Sequence, residues 1–235
     1  SGGTFTGAAG AVAVTGVLTV SSGTLNSATS GGTVTVSGLT SLTGGTCADA
    51  GGTLTCNAGL TLNGGTFTGA AGTTDINGTL TLTAGTFTAP NASGALTVSG
   101  DFAKGGATFT HNSGTTTLDG TLQTITGATT FYELTKIVAL ADTLTFPSGT
   151  TQTIAGTLTL RGAASQLLLL RSSANGVQWS IDPQSTRSCS YLDVKDGLNL
   201  RSPEINPGRS LDTDNNTLWF RKRRPYGSGG TPPLY

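Results

Sequence analysis

The chain has 235 residues with 12 basic and 12 acidic side chains, so its formal net charge is zero. Charged residues make up only 10% of the chain, while 36 Gly and 46 Thr dominate the composition. This composition excludes a helical enzyme, a basic nucleic-acid binder and a highly charged disordered chain, and apolar runs such as Leu167–Leu170 are too short for a membrane helix.

The first 38 residues contain a segment that returns later in the chain. Residues 2–38 and 64–100 are identical at 19 of 37 positions, at an offset of 62. A shorter repeat lies inside this offset, because three series of mostly apolar residues advance in steps of 20 or 22. The first is Phe5, Leu25, Cys47, Phe67, Phe87, Phe109 and Phe131; the second is Val14, Val36, Cys56, Ile76, Val98, Leu118, Leu140 and Leu160; the third is Leu18, Thr40, Leu60, Leu80, Phe102, Leu122 and Leu144.

These series predict an all-β fold, a parallel β-solenoid (β-helix) with triangular coils of 20–22 residues. In Thr4-Phe5-Thr6 the Phe points to one side of a strand and both Thr to the other. A single coil cannot bury its apolar side, so the coils must stack with the three series inside. Even steps keep each series on the same face. The right-handed form is favoured for parallel connections.

The repeat divides the chain into three predicted regions. Residues 1–160 form regular coils, about seven of them before residue 146. Residues 161–220 are richer in charge and contain both Trp, which predicts irregular final coils and a C-terminal cap. Residues 221–235 have the composition of a tail, with basic residues followed by Gly, Ser and Pro. The chain opens inside a coil, so we expect an excised fragment or an open end that joins another copy.

The repeat style resembles that of Thr/Gly-rich regions in large secreted bacterial surface proteins of the adhesin type. The resemblance is carried by GTFTGAAGTTDINGTLTLTAGTFT at 65–88 and QTITGATTFYELTK at 123–136. QWSIDPQSTRSCSYLDVKD at 178–196 and DTDNNTLWF at 212–220 are similar to the elements that close such arrays. The resemblance implies an extracellular or cell-surface location and brings no catalytic residues with it.

The sequence therefore predicts a noncatalytic structural module that forms a rod or fibre on a bacterial surface. The expected partners are further copies, end to end or laterally, other surface-protein domains, or a glycan. Nucleic-acid binding and membrane insertion are not expected, nor is any cofactor. The lone His111 and the scattered acidic residues favour neither a metal site nor a catalytic cluster.

An alternative function is an ice- or glycan-binding solenoid that uses outward Thr-x-Thr pairs. The candidate face consists of Thr4, Thr6, Thr24, Thr66, Thr68, Thr86, Thr88, Thr108 and Thr110. Such ladders resemble those of ice-binding β-solenoids. Thr is also simply a good residue for an exposed strand, and it recurs on the other faces, which favours a structural role.

Three further features have two interpretations each. Cys47 and Cys56 both point inward in one coil, so they form either a disulfide across a corner or two buried thiols; Cys189 is left over. Asp212–Asn216 has oxygen ligands like the start of a calcium loop, but the missing Gly and Glu favour an Asx-rich turn. The basic run Arg221–Arg224 could contact an anionic polymer, although a solvated chain end is the commoner case.

Overall fold

The computed structural model describes residues 2–7, 9–28, 31–49 and 51–221. These residues form 27 β-strands and contain no helix. All ladders between the strands are parallel, and successive strands along a ladder come from successive turns of the chain. The predicted all-β parallel solenoid is confirmed, with about nine turns, the number of strands in its nine-stranded sheet.

The strands form three stacks that run the length of the molecule, and each is named here after its inward residues. The Val stack consists of β2 (Ala11–Val14), β5 (Thr33–Val36), β8 (Thr53–Cys56), β10 (Thr73–Ile76), β12 (Ala95–Val98), β15 (Thr115–Leu118), β18 (Glu133–Ile137), β21 (Leu158–Arg161) and β24 (Arg187–Ser190).

The Leu stack consists of β3 (Leu18–Val20), β6 (Thr40–Leu42), the first halves of β9 (Leu60–Thr68) and β11 (Leu80–Thr88), β13 (Phe102–Lys104), β16 (Gln123–Thr126), β19 (Asp142–Phe146), β22 (Leu168–Ser172), β25 (Leu192–Lys195) and β27 (Leu211–Asp214). The Phe stack consists of β1 (Thr4–Gly7), β4 (Thr24–Ala28), β7 (Thr46–Ala48), the second halves of β9 and β11, and β14 (Thr108–Thr110), followed by β17 (Thr129–Phe131), β20 (Thr151–Ile154), β23 (Trp179–Pro183) and β26 (Gly197–Asn199).

The predicted steps of 20 and 22 residues match the strand register in the first two-thirds of the solenoid. Cys47 pairs with Phe67, and Phe67 pairs with Phe87. The rings of Phe67 and Phe87 are fully buried and stack at 4.5 Å between centroids with 8° between their planes. Val98 pairs with Leu118 in the same manner on the Val stack. The alternation of Thr with one apolar residue thus produces a dry interior, as strand geometry requires.

The first coil departs from the prediction of a closed core. Phe5 pairs with Leu25, as the spacing predicts, but its side chain is 49% exposed. Val14 and Leu18 are only partly buried. An inward residue is sealed only when a coil lies on both sides of it, and no described coil covers this side.

The steps of 20 and 22 end after Leu118, ahead of the predicted end of the regular coils at residue 160. The predicted inward positions of Leu122 and Leu140 are wrong, because these side chains are 73% and 74% exposed. Phe102 pairs with Ile125, a step of 23. Leu122 has a positive φ of 53°, which rotates the chain so that its neighbour Gln123 enters the core instead. An odd step requires such a local irregularity, since otherwise all following side chains would change faces.

The final coils are irregular in length and carry a second aromatic column. Phe146 stacks on Trp179 at 4.0 Å between ring centroids, and Trp179 lies 5.3 Å from Trp219. Trp219 is fully buried and Ile205 is 9% exposed, so residues 200–221 lie over the apolar interior at this end. Of the predicted tail at 221–235, residues 222–235 lie outside the described residues.

Candidate functional site

The predicted Thr residues form an aligned array on the outer surface of the Phe stack, which we call the Thr face. Its first column is an unbroken series of six paired Thr residues: Thr4, Thr24, Thr46, Thr66, Thr86 and Thr108. Its second column is less uniform and contains Thr6, Asn26, Ala48, Thr68, Thr88 and Thr110. All nine predicted Thr residues therefore lie on one face, and none is buried.

The Thr face has a spacing fixed by strand geometry. Within one strand, the two outward residues of a Thr-x-Thr pair are two positions apart. Each lies about 4.8 Å from the equivalent residue in the next coil. Each Thr side chain offers one hydroxyl and one methyl group, so the array presents both polar and apolar groups. The array ends at Thr108 and Thr110, because β14 pairs with β11 but with no later strand. Beneath its central part lie the fully buried rings of Phe67 and Phe87.

A second, longer Thr array covers the outside of the Val stack. One column contains Thr33, Thr53, Thr73, Ala95, Thr115 and Glu133; the other contains Thr35, Thr55, Asp75, Thr97, Thr117, Thr135, Thr159 and Ser188. Unlike the Thr face, this array includes two carboxylates. Thr97 donates a 2.8 Å hydrogen bond to Asp75, and Thr115 donates one of 2.7 Å to Glu133. Its hydroxyls are thus partly engaged within the protein.

Cys47 and Cys56 are both fully buried and face the interior of one coil, as predicted. All three cysteines are free thiols in the structure. Burial raises the pKa of Cys47 to about 12, with the nearby Cys56 and Asp49 adding to the effect. Burial likewise raises the pKa of Cys56 to about 11 and that of Cys189 to about 12. Thiols with such high pKa values carry almost no thiolate at neutral pH and are therefore poor nucleophiles and metal ligands.

Asp49 is an acidic side chain buried at the corner between the Phe and Val stacks. Burial raises its pKa, although hydrogen bonds from Gly51 N–H and from the hydroxyls of Thr74 and Ser27 partly oppose the shift. Gly72 makes room for this carboxylate, since a Cβ there would lie 2.3 Å from Asp49 Oδ1. The surrounding donors make this a satisfied structural carboxylate rather than an open reactive one.

A buried polar cluster lies where the steps of 20 and 22 end. Lys136 is completely buried, and its ammonium group contacts Gly120 O at 2.7 Å, Gln123 Oε1 at 2.8 Å and Asp142 Oδ2 at 2.8 Å. The ammonium group donates hydrogen bonds to Gly120 O and Gln123 Oε1 and forms an ion pair with Asp142 Oδ2. The opposite oxygen, Asp142 Oδ1, accepts 2.7 Å hydrogen bonds from the N–H groups of Leu122 and Thr143.

The polar cluster was missed by the periodicity, which assigned Leu140 to the core of this coil. Two signals in the sequence could have found it. Lys136 follows Leu134 at an inward strand spacing, and Gln123 is preceded by an apolar residue that interrupts the expected alternation. The charged groups of Lys136 and Asp142 and the amide of Gln123 are buried together and provide each other's polar contacts. The side chains of Leu122 and Leu140 need no hydrogen-bond partner, and they lie on the outside.

The remaining predicted features are engaged in local contacts. Asn216 donates to Val194 O and Asp212 Oδ1, each at 2.7 Å, and Asn215 donates to Asp196 Oδ1 at 2.8 Å, which favours the turn interpretation of residues 212–216. His111 Nδ1 accepts a hydrogen bond from the N–H of Ser113. Among the described residues, no three His, Cys, Asp or Glu side chains are grouped so that they could hold a metal ion.

Comparison of the chain with protein families, curated proteins and solved structures finds no match. The described part of the chain also contains no helix with the length and apolar character needed to span a membrane. The geometry of the Thr arrays and of the stacked core is therefore the basis for any functional proposal.

Proposed function

We propose that this chain is a noncatalytic structural module, a rod of stacked β coils that forms part of an extracellular fibre on a bacterial surface. Other surface-protein domains or further copies, arranged end to end or side by side, are the proposed partners. The location and source follow from the resemblance of the repeats. The mechanical role is supported by one main observation, the unbroken parallel ladder of nine strands in the Val stack.

The ladder supports a mechanical role because its hydrogen bonds run along the rod axis. Nine coils at about 4.8 Å each give a rod of about 43 Å. Separation of two regular coils must break a strand pair on each of the three stacks at once and also expose the core. The inward residues around the middle of the rod, such as Leu54, Phe67 and Leu80, are fully buried, so this exposure is costly.

Single-molecule pulling tests the mechanical role. With handles at both ends of the described chain, we expect a high unfolding force and stepwise release of whole coils. Phe67→Ala removes a fully buried ring and should lower that force, whereas Val17→Ala removes a side chain that is 65% exposed and should leave it unchanged. Unfolding at low force with no dependence on Phe67 would contradict the proposal. Antibody labelling of intact cells tests the surface location separately.

A second candidate function is the binding of ice or a glycan by the Thr face. The unbroken column of six Thr is the observation that favours it, because a regular array of hydroxyl and methyl groups can order water or stack against sugar rings. The array on the Val stack has a similar spacing but includes Asp75 and Glu133, whose charges would disturb such order.

Thermal hysteresis measurements with paired variants test this second function. Thr66→Lys changes the centre of the Thr face, and Thr53→Lys makes the same change on the Val stack; both positions are half-buried strand residues. Ice binding predicts hysteresis in the parent chain that Thr66→Lys abolishes and Thr53→Lys preserves. No hysteresis at high protein concentration would remove the ice interpretation. Glycan binding is tested with the same two variants on a glycan array.

A further inference from the structure

The corner between the Val and Leu stacks becomes apolar in the middle of the molecule. Leu140 and Leu122 are the most exposed large apolar side chains of the described residues, and Ile137 is 59% exposed. Residues 137–141 form the loop from β18 to β19 and are all apolar. We call the surface of Leu122 and residues 137–141 the apolar corner. A run of exposed apolar residues marks an interaction surface when the fold does not need it.

The regular coils show that the fold does not require an apolar loop at this corner. The equivalent loops consist of small or polar residues, Asn-Ala-Gly at 57–59, Asn-Gly-Thr at 77–79 and Ser-Gly-Asp at 99–101. The first two coils carry one exposed apolar residue each, Val17 and Leu39. Gly and Asn are the usual turn residues because they adopt turn conformations at little cost. Residues 137–141 contain neither, so the turn itself does not explain their apolar character.

The apolar corner is held in a fixed conformation. Ala141 N–H donates a 2.7 Å hydrogen bond to Gln166 Oε1. The buried ion pair of Lys136 and Asp142 joins the residues directly before and after the loop. A cavity of about 260 Å³ opens at this surface beside Leu140. A surface that is already ordered loses little conformational entropy when a partner binds.

An acidic and a basic residue lie on either side of the apolar corner along the rod axis. Thr117 pairs with Thr135, so Asp119 and Ile137, two positions further along each strand, lie side by side, and both line the cavity. Ile137 in turn pairs with Arg161 in the next coil. Asp119 and Arg161 are both exposed. They lie one coil before and one coil after Ile137, about 10 Å apart along the axis.

This order of acid, apolar group and base is complementary to itself. A two-fold axis through Ile137 reverses the order in a second copy, so that Asp119 of each copy faces Arg161 of the other while the apolar corners meet at the axis. A parallel side-by-side arrangement would bring each charge to face its own equivalent, which is repulsive. An uncharged occupant such as a glycan would use neither charge. Charge complementarity therefore favours a second copy in the antiparallel orientation.

We propose that the apolar corner, together with Asp119 and Arg161, is the surface through which two copies of this chain bind side by side in antiparallel orientation. Leu122 and Leu140 of each copy pack against the apolar corner of the other, and two ion pairs form beside them. This inference rests on the proposed rod function, since it names the lateral surface by which the rods associate. It does not involve either end of the rod.

Sedimentation equilibrium over a range of protein concentrations tests the proposal. We expect a monomer–dimer equilibrium that Leu140→Asn weakens about a hundredfold, because each dimer loses two buried Leu side chains. Val17→Asn is the matched control, since Val17 is 65% exposed at the same corner in the first coil, and it should leave the dissociation constant unchanged. Both side chains are exposed, so both variants should keep the parent Tm. A parent chain that stays monomeric, or a Leu140→Asn variant that dimerises as tightly as the parent, overturns the proposal.

Exchange of the two charges tests the antiparallel orientation. Asp119→Arg and Arg161→Asp should each weaken the dimer, because like charges then face each other. An equimolar mixture of the two single variants should form heterodimers, since all four facing positions are again complementary. The double variant should recover the parent affinity for the same reason. Tighter dimers of either single variant would indicate a parallel orientation, and failure of both the mixture and the double variant to recover would exclude the ion pairs; each result overturns the proposal.

Failure of this proposal is distinguishable from failure of the rod function. The unfolding force is measured on single molecules and involves no second copy. A monomeric chain with a high unfolding force would therefore overturn the lateral contact alone. A dimer with the expected variant effects but a low unfolding force would support the contact and contradict the mechanical role.

Discussion

Replacement of Lys136 by Met tests the buried polar cluster. Lys136 is fully buried, and its ammonium group is held by Gly120 O, Gln123 Oε1 and Asp142 Oδ2 at 2.7–2.8 Å. Met has a similar length but no donor. The variant therefore leaves a buried carboxylate and two buried oxygens without their partner, while the volume of the core changes little.

The expected cost follows from the contacts that remain. Loss of one partner from a buried ion pair costs about 3–5 kcal/mol. Asp142 keeps the hydrogen bonds from Leu122 and Thr143 to its other oxygen, so we expect a loss near the lower limit, about 3 kcal/mol. For a chain of this size that corresponds to a fall in Tm of about 6–12 °C.

The pH dependence gives the prediction a second readout. Burial alone would raise the pKa of Asp142, but hydrogen bonds from Leu122, Lys136 and Thr143 outweigh it and hold the pKa below its usual range. A depressed carboxyl pKa contributes stability above the unfolded value, about 3.9, and this contribution is lost as the pH falls through the folded pKa. The parent and Lys136→Met should therefore differ most at neutral pH and less below about pH 4.

Urea unfolding followed by fluorescence of Trp179 and Trp219 measures the effect at pH 7 and pH 3. Lys104→Met is the control, because Lys104 lies at the surface and only its own neighbour Gly105 accepts a hydrogen bond from it. This control should stay within about 0.5 kcal/mol of the parent. The reasoning would be refuted if Lys136→Met were as stable as the Lys104→Met control, or lost the same stability at both pH values.

Three other predictions concern the regular coils. Burial raises the pKa of Asp49, so its ionised carboxylate lowers the stability of the fold above the folded pKa. Asp49→Asn should therefore raise Tm at pH 7, and this gain should disappear below about pH 4. A lower Tm of the variant at pH 7 would contradict this. In denaturant titrations, Phe87→Ala should lower the free energy of unfolding by about 3–5 kcal/mol. Phe5 is half-exposed, so Phe5→Ala should lower it by less than about 1.5 kcal/mol. Equal losses would speak against the stacked core. Cys47 and Cys56, with pKa values of about 12 and 11, should resist iodoacetamide at pH 8 in the folded chain and react after unfolding. Failure of Cys47 and Cys56 to react after unfolding without reductant would favour the disulfide interpretation over that of two buried thiols.

The regular part of the fold was predictable because one physical rule determines it. An inward residue must recur at an even step so that it lies above its equivalent in the next coil. Phe67 and Phe87 illustrate this rule, and the outward alignment of Thr66 with Thr86 follows from the same register. The sequence could not predict the exposure of Phe5, because burial at the end of a stack depends on the next coil rather than on local alternation.

The part after Leu118 was not predictable from spacing, because tertiary hydrogen bonds determine the register there. Leu140 satisfies the step of 22 from Leu118, yet Lys136 occupies the interior instead. Lys136 can do so only because Gln123, 13 positions earlier, and the carboxylate of Asp142 lie beside it in space. Apolar periodicity carries no information about such pairing. The sequence also could not show that the Thr array on the Val stack is longer than the predicted Thr face.

Stacking also explains why the chain carries so few charges. Every outward residue of a regular coil lies about 4.8 Å from its equivalents in the neighbouring coils, so a repeated charge would face itself. The acidic residues on the regular coils avoid this by facing hydroxyl donors: Asp75 accepts from Thr97, and Asp119 accepts a 2.8 Å hydrogen bond from Ser99.

Where charges do become frequent, two ion pairs join neighbouring coils. Arg171 contacts Asp193 at 2.9 Å, and Arg201 contacts Asp182 at 2.7 Å. The two residues of each pair are 22 and 19 positions apart, close to the length of one coil. At these two places, side chains of neighbouring irregular coils still face each other, but they carry complementary charges in place of Thr. The scarcity of charge in the regular coils is thus a consequence of repetition itself, because a repeated sequence cannot place opposite charges at equivalent positions.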